Sequence, residues 1–172
     1  MVDFRIRRDA LTDPEDREQV WWDVIAPAFG ELRTPYEPDP RLHELTPGQR
    51  ALYTLHWARS EIGNGGFHQY LYNPTGMLAN EALLGAELIG ATDFAELFRE
   101  VRTLVFGNTF SEDQRRRIDV LDGLSVEALA KLEELTDRFY DLMGSADESA
   151  LARYCSGFVD AHSADFFLPP QS

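Results

Sequence analysis

Glu61, Asn64, His68, Gln69, Tyr72 and Asn73 form a dense polar set able to do chemistry, and they stand among Gly63, Gly65, Gly66 and Gly76. If residues 67 to 73 are helical, Gln69 and Asn73 fall at i, i+4 on one face, and Gly65 and Gly66 offer free amides at the helix N-terminus. Such an array can grip an anion, an amide or a carboxylate-bearing peptide. The same residue types also have a structural use, which carries more weight. Asn64 suits a left-handed or turn position, and the glycines permit tight helix crossing. Gln69 and Asn73 can satisfy buried backbone groups, with Phe67, Tyr70 and Leu71 facing the core. The candidate ligand-binding set is Glu61, Asn64, Gly65, Gly66, Phe67, His68, Gln69 and Asn73.

Other chemistries find no residues to carry them. No Glu-x-x-His or His-x-x-x-His pair occurs, and His43, His56, His68 and His162 are scattered, so neither metal nor cofactor is implied. The Gly63-Asn64-Gly65-Gly66 run lacks the Gly-Lys-Ser/Thr ending of a phosphate loop, and no Gly-x-Ser-x-Gly elbow is present. Cys155 and His162 share a helix face at i, i+7, which reads as a pair of core positions more than as a dyad. No catalytic residue is assigned, and a non-enzyme is the expectation.

The elements that must position these residues are helices. Asp13-Pro14-Glu15-Asp16 has the acid, proline and carboxylates of a helix start, followed by Val20, Trp21, Val24, Ile25 and Ala28 at helical spacing. Thr46-Pro47-Gly48-Gln49 starts a second helix, with Leu52, Leu55, Ala58 and Ile62 as its buried stripe, stopped at Gly63 to Gly66. A short helix over Phe67 to Asn73 and another over Met77 to Ile89 follow. Thr92-Asp93 caps a segment with Phe94, Leu97, Phe98, Val101, Leu104 and Val105 on one face. Ser111-Glu112-Asp113 and Ser125 start two more, the second with Leu129, Leu132, Thr136, Phe139 and Met143 inside. The last runs from Asp147 to His162. Gly30 to Pro40, with three prolines, reads as an extended connector, and Met1 to Leu11 as a short arm or strand. The fold class is all-α: one compact domain over residues 1–172, with seven or eight helices and short connections. No repeat period is found.

Charge narrows the partners. Thirty acidic residues against 16 basic ones give a formal net charge of −14, which disfavours direct nucleic-acid binding. Acids outnumber bases in both halves, so the charge is spread. Glu15, Asp16, Glu18 and Asp23 form one candidate partner face, and Asp119, Asp122, Glu133, Asp137 and Asp141 another. Helix neighbours at i, i+4 and adjacent helices can place carboxylates at roughly the 7 Å step of successive phosphates. Glu127 with Lys131, Glu134 with Arg138 and Arg115 with Asp119 are spaced as self-compensating ion pairs, and Arg115-Arg116-Arg117 is a basic run. No apolar run is long enough to span a membrane, and the charged N-terminus has no signal-peptide core. The expected location is the cytoplasm.

The run from Glu61 to Tyr70, closed by Asn73 and Gly76 and followed by Ile89-Gly90-Ala91, resembles a bacterial domain family of unknown function, the DNA-mimic-protein C-terminal-like domain. Asn64 to Phe67, Gln69, Tyr70, Asn73, Gly76 and Ile89 to Ala91 match its Asn-Gly-Gly-Phe-x-Gln signature position by position. Pro74 and Thr75 depart from it, since two small hydroxyl residues are more usual there. The signature region covers about residues 50–107. The resemblance implies an acidic interaction protein that imitates DNA and occupies a basic nucleic-acid-binding protein. Two alternatives stay open: a small-ligand or catalytic pocket around Asn64 to Asn73, and a toxin-neutralising or immunity-type protein. A homodimer is not derivable from the sequence.

Overall fold

The computed structural model describes residues 3–32, 39–144 and 149–169. Eight α-helices occur among them: α1 (Arg17–Glu31), α2 (Pro47–Tyr72), α3 (Ala79–Leu88), α4 (Thr92–Phe106), α5 (Gln114–Asp122), α6 (Val126–Met143), α7 (Ala150–Ala161) and the single turn α8 (Ser163–Phe166). Three short 3-10 turns, Arg8–Ala10, Pro40–Glu44 and Pro74–Leu78, join them. The all-α class expected from periodicity is the class observed.

The central element is α2, which packs against α1, α3, α5, α6, α7 and α8. Ala51, Leu52, Tyr53, Thr54 and Leu55 are consecutive and all buried, because a helix surrounded on most sides has no solvent face to give up to polar residues. Its start is a complete capping box: the Thr46 hydroxyl accepts from Gln49 N–H at 3.1 Å, and the Gln49 amide oxygen accepts from Thr46 N–H at 3.1 Å. α1 buries Val20, Trp21, Val24, Ile25 and Ala28 and packs on both α2 and α7, and the Trp21 indole N–H donates to Leu52 O at 3.1 Å.

Several local expectations shift. Asp16, not Asp13, caps α1, accepting from Glu18 and Gln19 N–H, so Pro14 precedes the helix. α4 begins at Thr92 behind Ala91, with no side-chain cap. Leu129 on α6 is 39% exposed, not interior. The N-terminal arm makes one parallel bridge, Ile6 with Phe167. Most of the connector expected at 30–40, and Asp147 at the expected start of α7, lie outside the described residues; α7 is capped by Ser149. None of the described helices is long and apolar enough to cross a membrane.

Candidate functional site

The signature sits at a break inside α2. Gly65 and Gly66 leave helical geometry, and Gly66 adopts φ 72, ψ −177, a conformation open in practice only to glycine. Breaking a helix frees backbone groups that need partners, and α6 supplies them from two residues one turn apart. The Thr136 hydroxyl accepts from Phe67 N–H at 3.1 Å while donating to Leu132 O. The Tyr140 hydroxyl donates to Ile62 O at 2.9 Å, on the other side of the break. An ideal Cβ on Gly66 would meet Thr136 Cγ2 at 3.0 Å, so the two helices close directly on the glycine.

Around this joint the polar signature residues turn to one another. The Glu61 carboxylate accepts from Asn73 Nδ2 at 2.7 Å and from Gln69 Nε2 at 3.4 Å. Gln69 and Asn73 therefore bind Glu61, not the buried backbone groups they were expected to satisfy. Phe67 is buried edge-on to Phe98 and Phe139, and Tyr70 and Leu71 are buried beside it. Asn64, Gly65 and His68 are exposed, His68 stacking on Tyr72. Asn64 does not take the left-handed position: among the described residues only glycines have positive φ, and here that residue is Gly66. The amide of Phe67, next to the Gly65 and Gly66 amides expected to grip an anion, is taken by Thr136.

Arg117, the last residue of the basic run Arg115-Arg116-Arg117, is fully buried. Its guanidinium donates to Leu71 O at 3.0 Å, Asn73 O at 2.9 Å and Glu112 O at 2.5 Å, with longer bonds to Ser111 and Pro74 carbonyls. It thus closes the C-terminal end of α2, where carbonyls lack internal donors and a cation is favoured. Burial pulls its pKa below the ordinary arginine value. The Tyr70 hydroxyl nearby is buried without a protein partner, and burial pushes its pKa up. The cavity between Phe67, Tyr70, Phe98, Arg102 and Phe106 measures about 20 Å³, room for about one water and not for a metabolite.

The two acidic sets differ. On α1, Asp16 is the helix cap, Glu18 pairs with Arg59, and Asp23 accepts from Thr12 and Gln19; only Glu15 is left exposed and uncommitted. Asp119, Asp122, Glu133, Asp137 and Asp141 are all exposed and have no hydrogen bond or ion pair among the described residues. Glu133, Asp137 and Asp141 fall at i, i+4 and i+8, one row along α6. The bases do not pair as the spacing predicted: Arg115 makes no ion pair with Asp119, and the two bases on α6 are engaged elsewhere. Lys131 pairs with Glu134 at 2.7 Å, and Arg138 reaches across to Glu100 on α4 at 2.8 Å. Glu127 turns to its own backbone N–H and Ser125, which lowers its pKa. α4 packs beside α6, and its Asp93 and Glu96 are exposed.

Two further titratable groups are structural. Burial raises the Cys155 thiol well above its ordinary value. His56, packed against Trp21, Trp22 and Phe29, is lowered to about 4 by burial and by Arg59. Among the described residues no group of three or more His, Cys, Asp or Glu side chains is placed to hold a metal ion.

The family model described as DMP19-like protein matches residues 43–162, which take in the helix break, Arg117 and the α6 row but not α1. No curated protein and no solved structure matches the chain.

Proposed function

The chain belongs to the DMP19-like protein family, and from that premise we propose that it is a cytoplasmic interaction protein whose α6 side imitates the phosphate rows of DNA toward a basic nucleic-acid-binding protein. The observation that carries this reading is the unneutralised row Glu133, Asp137 and Asp141. Each step along it rises about 6 Å, close to the spacing of successive phosphates. Asp119 and Asp122 on α5, with Asp93 and Glu96 on α4, extend the negative field. Such a field steers a basic partner and makes its binding salt-sensitive. The α1 acids play no part in this face, since three of the four are committed to the fold. The helix break is the joint that holds α6 against α2.

The ligand-pocket reading is weaker, because Glu61, Gln69 and Asn73 are engaged with one another and none of the three lines the open cleft of about 500 Å³ that Gly63 and Asn64 border. An immunity-type role would use the same acidic face and differ in the partner's identity.

The test is capture from a lysate at low salt by the wild-type chain and by the Glu133→Gln/Asp137→Asn/Asp141→Asn variant. The reading expects DNA-binding proteins that the wild type retains, duplex DNA elutes and the variant fails to hold. Capture of the same proteins by both chains, or indifference to DNA, would overturn it.

A further inference from the structure

At the other end of the chain the charge reverses. Ile6 N–H donates to Phe166 O at 3.0 Å and Leu168 N–H to Ile6 O at 2.9 Å, which ties the N-terminal arm to the C-terminal segment. This anchor sets the turn Arg8–Ala10 so that the Arg8 guanidinium lies 4.5 Å from the centre of the Phe167 ring. Beside that contact a cleft of about 310 Å³ opens between the arm, α1 and α7. Arg8, Arg17 and Arg153 line it from three separate elements, and its exposed lining is mostly polar, with Val20, Val159 and Phe167 nearly buried at its edge.

In a chain with almost two acids per base, convergence of three guanidiniums needs a reason. Seven of the described arginines are paired with carboxylates, among them Arg5 with Asp3, Arg7 with Asp9, Arg59 with Glu18, Arg99 with Glu87 and Arg138 with Glu100. Arg8 and Arg17 have no ion pair among the described residues, although Glu15 and Asp160 line the same cleft. Guanidinium forks match phosphate oxygens two at a time. The volume falls within the range of small-molecule sites.

We infer that this cleft binds a small phosphate-bearing molecule. Arg8 and Arg17 hold the phosphate, and Glu15 and Asp160 accept from the hydroxyl or amino groups of the ligand's body. The site is independent of the α6 face, and Arg8 and Arg17 lie outside the family match at 43–162.

Titration of the full chain with inorganic phosphate and with adenosine monophosphate, followed by calorimetry and by amide NMR shifts, tests this. Saturable one-to-one binding of either, with shifts confined to the arm, α1 and α7, is expected. Arg8→Gln and Arg17→Gln should each weaken it at least about tenfold, the loss expected when a charge-assisted hydrogen bond is removed. Arg115→Gln and Arg116→Gln, at exposed positions on α5, should leave it unchanged. Shifts reproduced by chloride at equal ionic strength, or equal losses in the α5 variants, would overturn the site.

Discussion

Replacing Gly66 by alanine should be among the most damaging single-methyl changes in this chain, whereas the same change three residues earlier should help it. With ψ at −177 the position lies in a region that costs about 1–3 kcal/mol for anything but glycine. The new Cβ would also press on Thr136 Cγ2 at 3.0 Å. Any shift of Thr136 to relieve that contact weakens its bond to Phe67 N–H, worth about 1 kcal/mol. Gly66→Ala should therefore cost about 3–4 kcal/mol. Gly63 is helical and exposed, with nothing within 4 Å of an added Cβ, so Gly63→Ala should gain up to about 1 kcal/mol. Urea unfolding followed by far-UV circular dichroism reads both as midpoint shifts of opposite sign at constant m. If both variants moved the same way, or if Gly66→Ala stayed within about 0.5 kcal/mol of wild type, glycine geometry would not be what shapes the break.

The staple across the break is separately testable. Thr136→Val and Tyr140→Phe should each cost about 1–2 kcal/mol by leaving Phe67 N–H and Ile62 O without a partner, as chemical denaturation would measure. Arg117→Met should cost about 3–5 kcal/mol despite relieving a buried charge, because the carbonyls of residues 71, 73 and 112 lose their donor. For pH, the folded His56 value of about 4 lies below the unfolded value of about 6.5, so the unfolded chain takes up the proton first. Its contribution is complete above pH 6.5 and is lost as pH falls toward 4, about 2–3 kcal/mol between pH 7 and 4.5. His56→Gln should flatten the denaturation midpoint across that window. An equally steep wild-type-like slope in the variant would assign the loss to other groups.

Helices α2, α4 and α7 were readable because their order is local. The Thr46 to Gln49 capping box and the apolar spacing of Phe94 to Val105 are complete within a few turns of chain. The break at Gly65 and Gly66 was readable for the same reason. What could not be read is how that break is satisfied. Thr136 and Tyr140 lie 69 and 78 residues from the groups they bind, and nothing in α6's own pattern separates them from ordinary helix residues. The burial of Arg117 was not readable because its acceptors are backbone carbonyls, which leave no trace in residue identity. Among the acids, composition gave each the same weight. Only packing separates Asp16, Glu18 and Asp23, which hold α1 in place, from Glu133, Asp137 and Asp141, which hold nothing.

Removing the α6 row should not harm the fold, since like charges at i, i+4 repel by a few tenths of a kcal/mol per pair. That makes displacement of DNA the most direct measurement. A captured DNA-binding partner is loaded with labelled duplex DNA, and the chain is added while fluorescence anisotropy is followed. The wild type should release the DNA, less effectively as salt rises, and the Glu133→Gln/Asp137→Asn/Asp141→Asn variant, equally stable to urea, should not. Release of DNA by the variant as efficiently as by the wild type would contradict the assignment of the α6 face.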